Sequence, residues 1–130
     1  PTAYHDGASA RRGMGWLLEV MLHPGYSENG WIYLQYGDRC EDCNSLSSRY
    51  NMPVSMNKVV RGRIEDDQWV DQETIFEFDV ETYQLGSDIG AGGRIAIDYE
   101  GHLFFSIGAK HMNFSHSSLG VTELHCTIYF

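Results

Sequence analysis

Gly30-Trp31-Ile32-Tyr33-Leu34-Gln35-Tyr36-Gly37 can be laid residue for residue on Gly101-His102-Leu103-Phe104-Phe105-Ser106-Ile107-Gly108. Each copy runs turn glycine, variable, aliphatic, aromatic, apolar, polar, apolar, glycine. The copies lie 71 residues apart, and each follows an apolar strand and a turn. Ahead of the first copy, Trp16 to Leu22 is almost wholly apolar and ends at His23-Pro24-Gly25. Pro24 holds its predecessor extended, which suits a strand end. Ser27-Glu28-Asn29-Gly30 reads as a tight turn with Asn-Gly as its signal. Residues 16–22 and 31–36 therefore predict an antiparallel hairpin. Both runs are too apolar for one wet face, so both are expected as inner strands with neighbours on either side.

Further strands follow from alternation. Residues 56–64 set Val60, Gly62 and Ile64 against Val59, Arg61 and Arg63, a half-exposed strand. Glu65-Asp66-Asp67 turns it. Residues 68–80 put Thr74, Phe76, Phe78 and Val80 on one face and Glu77 and Asp79 on the other, an outermost, solvated strand. Residues 92–98 and 103–107 form a second hairpin around Tyr99-Glu100-Gly101, and Cys126 to Phe130 is strand-like again. Residues 38–55 read as a long polar loop holding Cys40 and Cys43, and 81–91 as a second loop.

Composition narrows the function classes. The chain has 130 residues, 42% hydrophobic and 21% charged, which argues against disorder. Its formal charge of −9 repels phosphate, so nucleic acid and anionic membrane surfaces are not expected partners. No apolar run is long enough to predict a membrane span. Pro1 without a preceding Met and the apolar final residues read as a trimmed or fragmentary chain.

Four-stranded units of roughly 40–50 residues plus an inserted loop account for the repeat offset, which is how the blades of a β-propeller recur. The expected fold is all-β, a partial β-propeller of about one and a half to two blades. The alternative is two similar hairpins of an ordinary sandwich. Residues 1–13 read as a loop or trimmed edge. Residues 14–91 read as a first blade carrying the cysteine insert 38–55, and 92–130 as the start of a second.

Cys40-Glu41-Asp42-Cys43 reads as a local disulfide or paired thiols, with a metal site as the alternative. The acidic neighbours raise thiol pKa and oppose a thioredoxin-like role. A bridged pair in a surface loop points to an oxidising compartment.

Met14-Gly15-Trp16-Leu17-Leu18-Glu19-Val20-Met21-Leu22-His23-Pro24 and Glu28-Asn29-Gly30-Trp31-Ile32-Tyr33-Leu34 resemble the first blade signature of the glucose/sorbosone dehydrogenase family. Val59 to Ile64, Ile75-Phe76, Gly92-Gly93-Arg94-Ile95 and Gly101 to Gly108 continue the resemblance in order. It implies a six-bladed propeller, pyrroloquinoline quinone (PQQ), calcium and a periplasmic or extracellular home. It also implies oxidation of a small-molecule sugar or polyol, with the remaining blades supplied by the parent chain. In that chemistry a side-chain base takes the hydroxyl proton as hydride passes to the quinone.

The family's catalytic His stands three residues before the Gly-Arg of the second blade motif, where this sequence has Gly90. The Gln or Glu before the first motif's Gly is Met14. Arg94 matches, and is the candidate cofactor-binding residue. Asp88, two residues before the expected base, is a substitute-base candidate, with a solvated loop carboxylate as the alternative. A catalytically inactive propeller serving as a binding or interaction module is the second functional reading. His23 reads as a packed strand-end residue and His102 as a solvated turn residue. His111 and His116 lack a carboxylate at ligand spacing, so no metal ligands are assigned.

Overall fold

The computed structural model describes residues 17–85, 92–108 and 123–128. The strands form two antiparallel sheets. The first follows the path β1 (Leu17–Leu22), β2 (Ile32–Cys40), β3 (Val54–Glu65) and β4 (Gln68–Phe76), and β5 (Gln84–Leu85) pairs with the start of β3. The second runs β6 (Gly92–Ile97), β7 (Leu103–Gly108) and β8 (Glu123–Ile128). Among the described residues, helix is confined to α1 (Tyr26–Asn29), α2 (Ser45–Tyr50) and a 3-10 turn at Val80–Thr82. The expected all-β class holds.

Alternation explains how the sheets stack. Tyr33 on β2 and Val59 on β3 share a core with Ile95, Leu103, Phe105 and Ile107 of the second sheet. Phe76 closes it, with its ring centroid 5.0 Å from that of Phe105. Burying one such large apolar side chain stabilises by about 1.5–3 kcal/mol. The opposite face of β2 carries Ile32, Leu34 and Tyr36, which pack with Val60 and Trp69. β2 is thus buried on both faces, as its composition requires.

Several expectations change. β1 is not an inner strand. It lies at one end of its sheet's strand order, and Leu17, Val20 and Leu22 are exposed. Residues 27–30 are not a bare tight turn. Gly30 caps α1 at φ 67°, and its N–H donates to the Tyr26 carbonyl. The Asn-Gly pair ends a helical turn because His23 organises it. The His23 ring nitrogen accepts from the Gly25 N–H, and the Asn29 amide lies 2.9 Å from the same nitrogen. The middle of β3 is not half-exposed, since Val59 and Val60 are both fully buried.

The polar segment 38–55 is ordered, which corrects its reading as a loop. β2 continues through Gly37 to Cys40, paired from Asn57 to Val54. Local propensity cannot show those ladder bonds, because their partner is distant in sequence. α2 starts at a reciprocal cap: the Ser47 N–H donates to the Asn44 side chain, and the Asn44 N–H donates to Ser47 Oγ. The fourth strand ends at Phe76 rather than Val80, because Asp79 caps the 3-10 turn by accepting from the Glu81 N–H. Phe78 still packs on the core, edge to face with Phe76. Asp66 and Asp67 both adopt positive φ, as a two-residue type I′ hairpin demands.

The two repeat copies lie on β2 and β7, in facing sheets. Gln35 and Ser106, equivalent positions of the repeat, touch: Gln35 Nε2 donates to the Ser106 carbonyl at 2.8 Å across 71 residues of chain. The sheets approach closely at Gly93, where a Cβ would stand 2.5 Å from Leu18 Cβ and where φ is +116°. Gly93→Ala is expected to destabilise the fold by about 1–3 kcal/mol in urea unfolding, from overpacking and backbone strain together. Adding Leu18→Ala should leave the closest clash in place, because alanine keeps the Cβ that lies 2.5 Å away, whereas Leu18→Gly should restore only the steric part. Unchanged stability of the single variant would show that the sheets do not meet there.

Candidate functional site

The sheets share a polar seam where β1, β2, β6 and β7 converge. Arg94 enters it directly after Gly92-Gly93, and its backbone N–H donates to Ser106 Oγ at 3.2 Å. Its guanidinium reaches across to Glu19 on β1 at 3.3 Å and stays 87% exposed. Such an exposed pair contributes about 0–1 kcal/mol, so it orients more than it stabilises. Glu19 lies opposite Gln35 in the β1–β2 register. The Gln35 side chain is fully buried and holds Ser106. Arg94 was legible as a candidate in sequence; Glu19, Gln35 and Ser106 were not. The available signal was the one polar position in each repeat copy.

Asp88, Gly90, Met14, His111 and His116 lie outside the described residues. The described seam therefore includes Arg94 and the strand that follows Gly90, but not the base candidate Asp88.

The insert builds a second polar cluster. Cys40 and Cys43 are disulfide-bonded, with S–S 2.06 Å, so the metal alternative for this pair falls away. Both pack with Val54, Met56 and Tyr83 in a small core that also takes Leu46, Phe78 and Leu85. Tyr83 Oη donates to Asp38 at 2.8 Å, and Lys58 Nζ lies 2.7 Å from Glu77 and 3.9 Å from Asp38. Asn44 Nδ2 donates to the Val80 and Tyr83 carbonyls, tying the helix to the 3-10 turn. Burial pushes the Tyr83 phenol up, and its hydrogen bond to Asp38 and the nearby negative charges push it further. Burial lowers Lys58, but its bond to Glu77 and the Asp38 charge outweigh this and raise it. Every charged head here is matched, so the cluster fastens the insert to the sheet rather than offering a reactive group.

A third cluster closes the β6–β7 hairpin. Asp98 Oδ1 accepts from the Glu100 and His102 N–H groups, each at 2.9 Å. Asp98 Oδ2 lies 2.7 Å from His102 Nδ1, and Glu100 Oε2 lies 3.7 Å from the same nitrogen. Desolvation raises the Asp98 carboxyl, but the bonds from His102 and Glu100 overcome it and hold it below the ordinary value. His102 is not the solvated turn residue expected, since its side chain is only 24% exposed and sits edge-on to Phe104. His23, by contrast, is the packed strand-end residue expected, stacked on Tyr33.

Two measurements check these assignments. The raised Tyr83 phenol contributes stability that is fully present below its unfolded pKa and lost as pH rises through the folded one. Tyr83→Phe should therefore flatten the alkaline arm of the stability–pH curve; an unchanged arm would show that another group titrates. The disulfide closes a short loop, with a sequence separation of 3, so the double Cys40→Ser, Cys43→Ser variant should lose at most about 2 kcal/mol. Chemical unfolding under non-reducing conditions measures it, and a loss of the whole fold would contradict the assignment.

Comparison with known proteins agrees with this architecture. The family model for Glucose / Sorbosone dehydrogenase matches residues 4–123. A solved glucose dehydrogenase is similar over 75% of this chain and 26% of its own, with 24% identity and a TM-score of 0.50. A second glucose dehydrogenase crystal structure is similar over 78% of this chain and 25% of its own, with 23% identity and a TM-score of 0.52. At that identity the likeness shows a shared fold, and the chain spans about a quarter of either structure. No curated protein matches the sequence. A match across nearly the whole chain, residues 4–123, places this chain in the glucose/sorbosone dehydrogenase family.

Proposed function

We propose that the chain supplies two adjacent propeller blades, 14–91 and the start of a second at 92–130, to a parent protein that binds a small sugar or polyol without oxidising it through this segment. The carrying observation is Gly90 at the position where the family places its base, because glycine has no proton acceptor. Losing such a base typically removes two to four orders of magnitude in rate. The facing strands β2 and β7, joined at equivalent repeat positions, support the blade reading.

The seam also bears on PQQ. A polycarboxylate quinone needs several cations, and Arg94 offers one guanidinium already facing Glu19 at 3.3 Å. Arg94 could supply only one of them, the others falling to later blades, and no step is derived through the quinone. Calcium likewise would depend on residues of later blades. A second reading keeps the family's oxidation, with Asp88 as base and Arg94 at the cofactor rim. Family membership supports it. The Cys40–Cys43 disulfide supports a periplasmic or extracellular home for either reading. Among the described residues no helix is long and apolar enough to cross a membrane.

The deciding experiment assays the full-length protein with PQQ, calcium and a sugar and polyol panel, following dye reduction and, by calorimetry, binding. Saturable binding without turnover is the expected result. Dye reduction that collapses in Asp88→Asn would overturn the binding reading and establish the oxidation.

A further inference from the structure

We propose that the β6–β7 turn is a binding site for a divalent transition-metal ion of the zinc class, held by Asp98 Oδ2, Glu100 Oε2 and His102 Nδ1. These atoms all lie within 4.8 Å of one another. Bonds of about 2.0–2.2 Å to zinc put neighbouring donors about 3–3.5 Å apart. The observed separations of 2.7 Å from Asp98 to His102 and 3.7 Å from Glu100 to His102 bracket that spacing. Small rotations of the side chains close the set around an ion.

A hydrogen-bonded turn by itself accounts for only half of this arrangement. Asp98 Oδ1 alone takes the two backbone N–H groups and shapes the hairpin. Oδ2 remains outside that backbone pattern and is turned toward the imidazole. The His102 ring lies perpendicular to that of Phe104, and its Nδ1 faces Asp98 Oδ2 at 2.7 Å. Glu100, 82% exposed, is the mobile third arm. One imidazole and two carboxylates suit a borderline ion, whereas calcium and magnesium prefer oxygen alone. Three protein donors leave a coordination position for water. All three come from one hairpin, at alternate positions, so assembly of the site needs no other blade.

Calorimetric titration of metal-free full-length protein with ZnCl2 tests the site, with Co2+ absorption as a second readout of the nitrogen–oxygen set. A saturable zinc equivalent is expected. Glu100→Gln and His102→Gln should each weaken it by about 10-fold or more. Glu100→Gln is the variant that keeps the fold, because its side chain touches little, and retained circular dichroism verifies this. The same titration with CaCl2 should show weaker uptake at this equivalent. Zinc isotherms unchanged in Glu100→Gln, or no uptake by the parent protein, would overturn the proposal.

Discussion

Close approach between the two sheets is the constraint on which the rest of the structure depends. It operates at Gly93, which brings the second sheet onto Leu18 where any side chain would collide. It is filled by Tyr33, Val59, Phe76, Leu103 and Phe105, whose packing excludes water from the interval. Buried strands cannot leave polar side chains unmatched cheaply. Gln35 Nε2 therefore reaches the Ser106 carbonyl and Ser106 Oγ takes the Arg94 N–H, while Gln35 Oε1 stays buried without a partner.

The same economy runs through the insert. A short disulfide, a reciprocal helix cap and the Asp38–Tyr83 bond hold a segment whose composition looks like loop. Its ionised groups sit in pairs, with Lys58 between Asp38 and Glu77. Lys58 is partly buried and Glu77 half exposed, so these pairs orient the segment more than they stabilise it. Charge here serves docking, which is why the insert offers anchoring rather than reactivity.

Family membership fixes the scaffold of this segment and not its chemistry. The family match spans residues 4–123, and Gln35 and Ser106, equivalent positions of the repeat, bond each other. Under the proposed reading the position of that family's base falls on Gly90, which has no proton acceptor. Backbone geometry can persist without the side chain that once used it, because packing and catalysis draw on different atoms. A fold match of about a quarter of a glucose dehydrogenase carries the scaffold and leaves the reaction to the parent chain.

Much of the fold was legible in the sequence. The repeat, the two hairpins, the outer strand and the vicinity of the cysteines all follow from alternation and turn chemistry, which are local. Arg94 was singled out only through the family resemblance, at the Gly-Arg of its second motif. Extension of β2 to Cys40 was not, because its ladder partner, Val54 to Asn57, lies beyond the insert. Nor was the exposure of β1, since apolar content reports what a strand would bury and not what stands beside it. The Asp98–Glu100–His102 cluster was written at alternate positions in a turn, yet only the folded hairpin brings its side chains to a common point. The sequence by itself determined periodicity, family and which residues must be hidden. Tertiary structure alone decided which polar groups meet, because that depends on contacts between residues far apart along the chain.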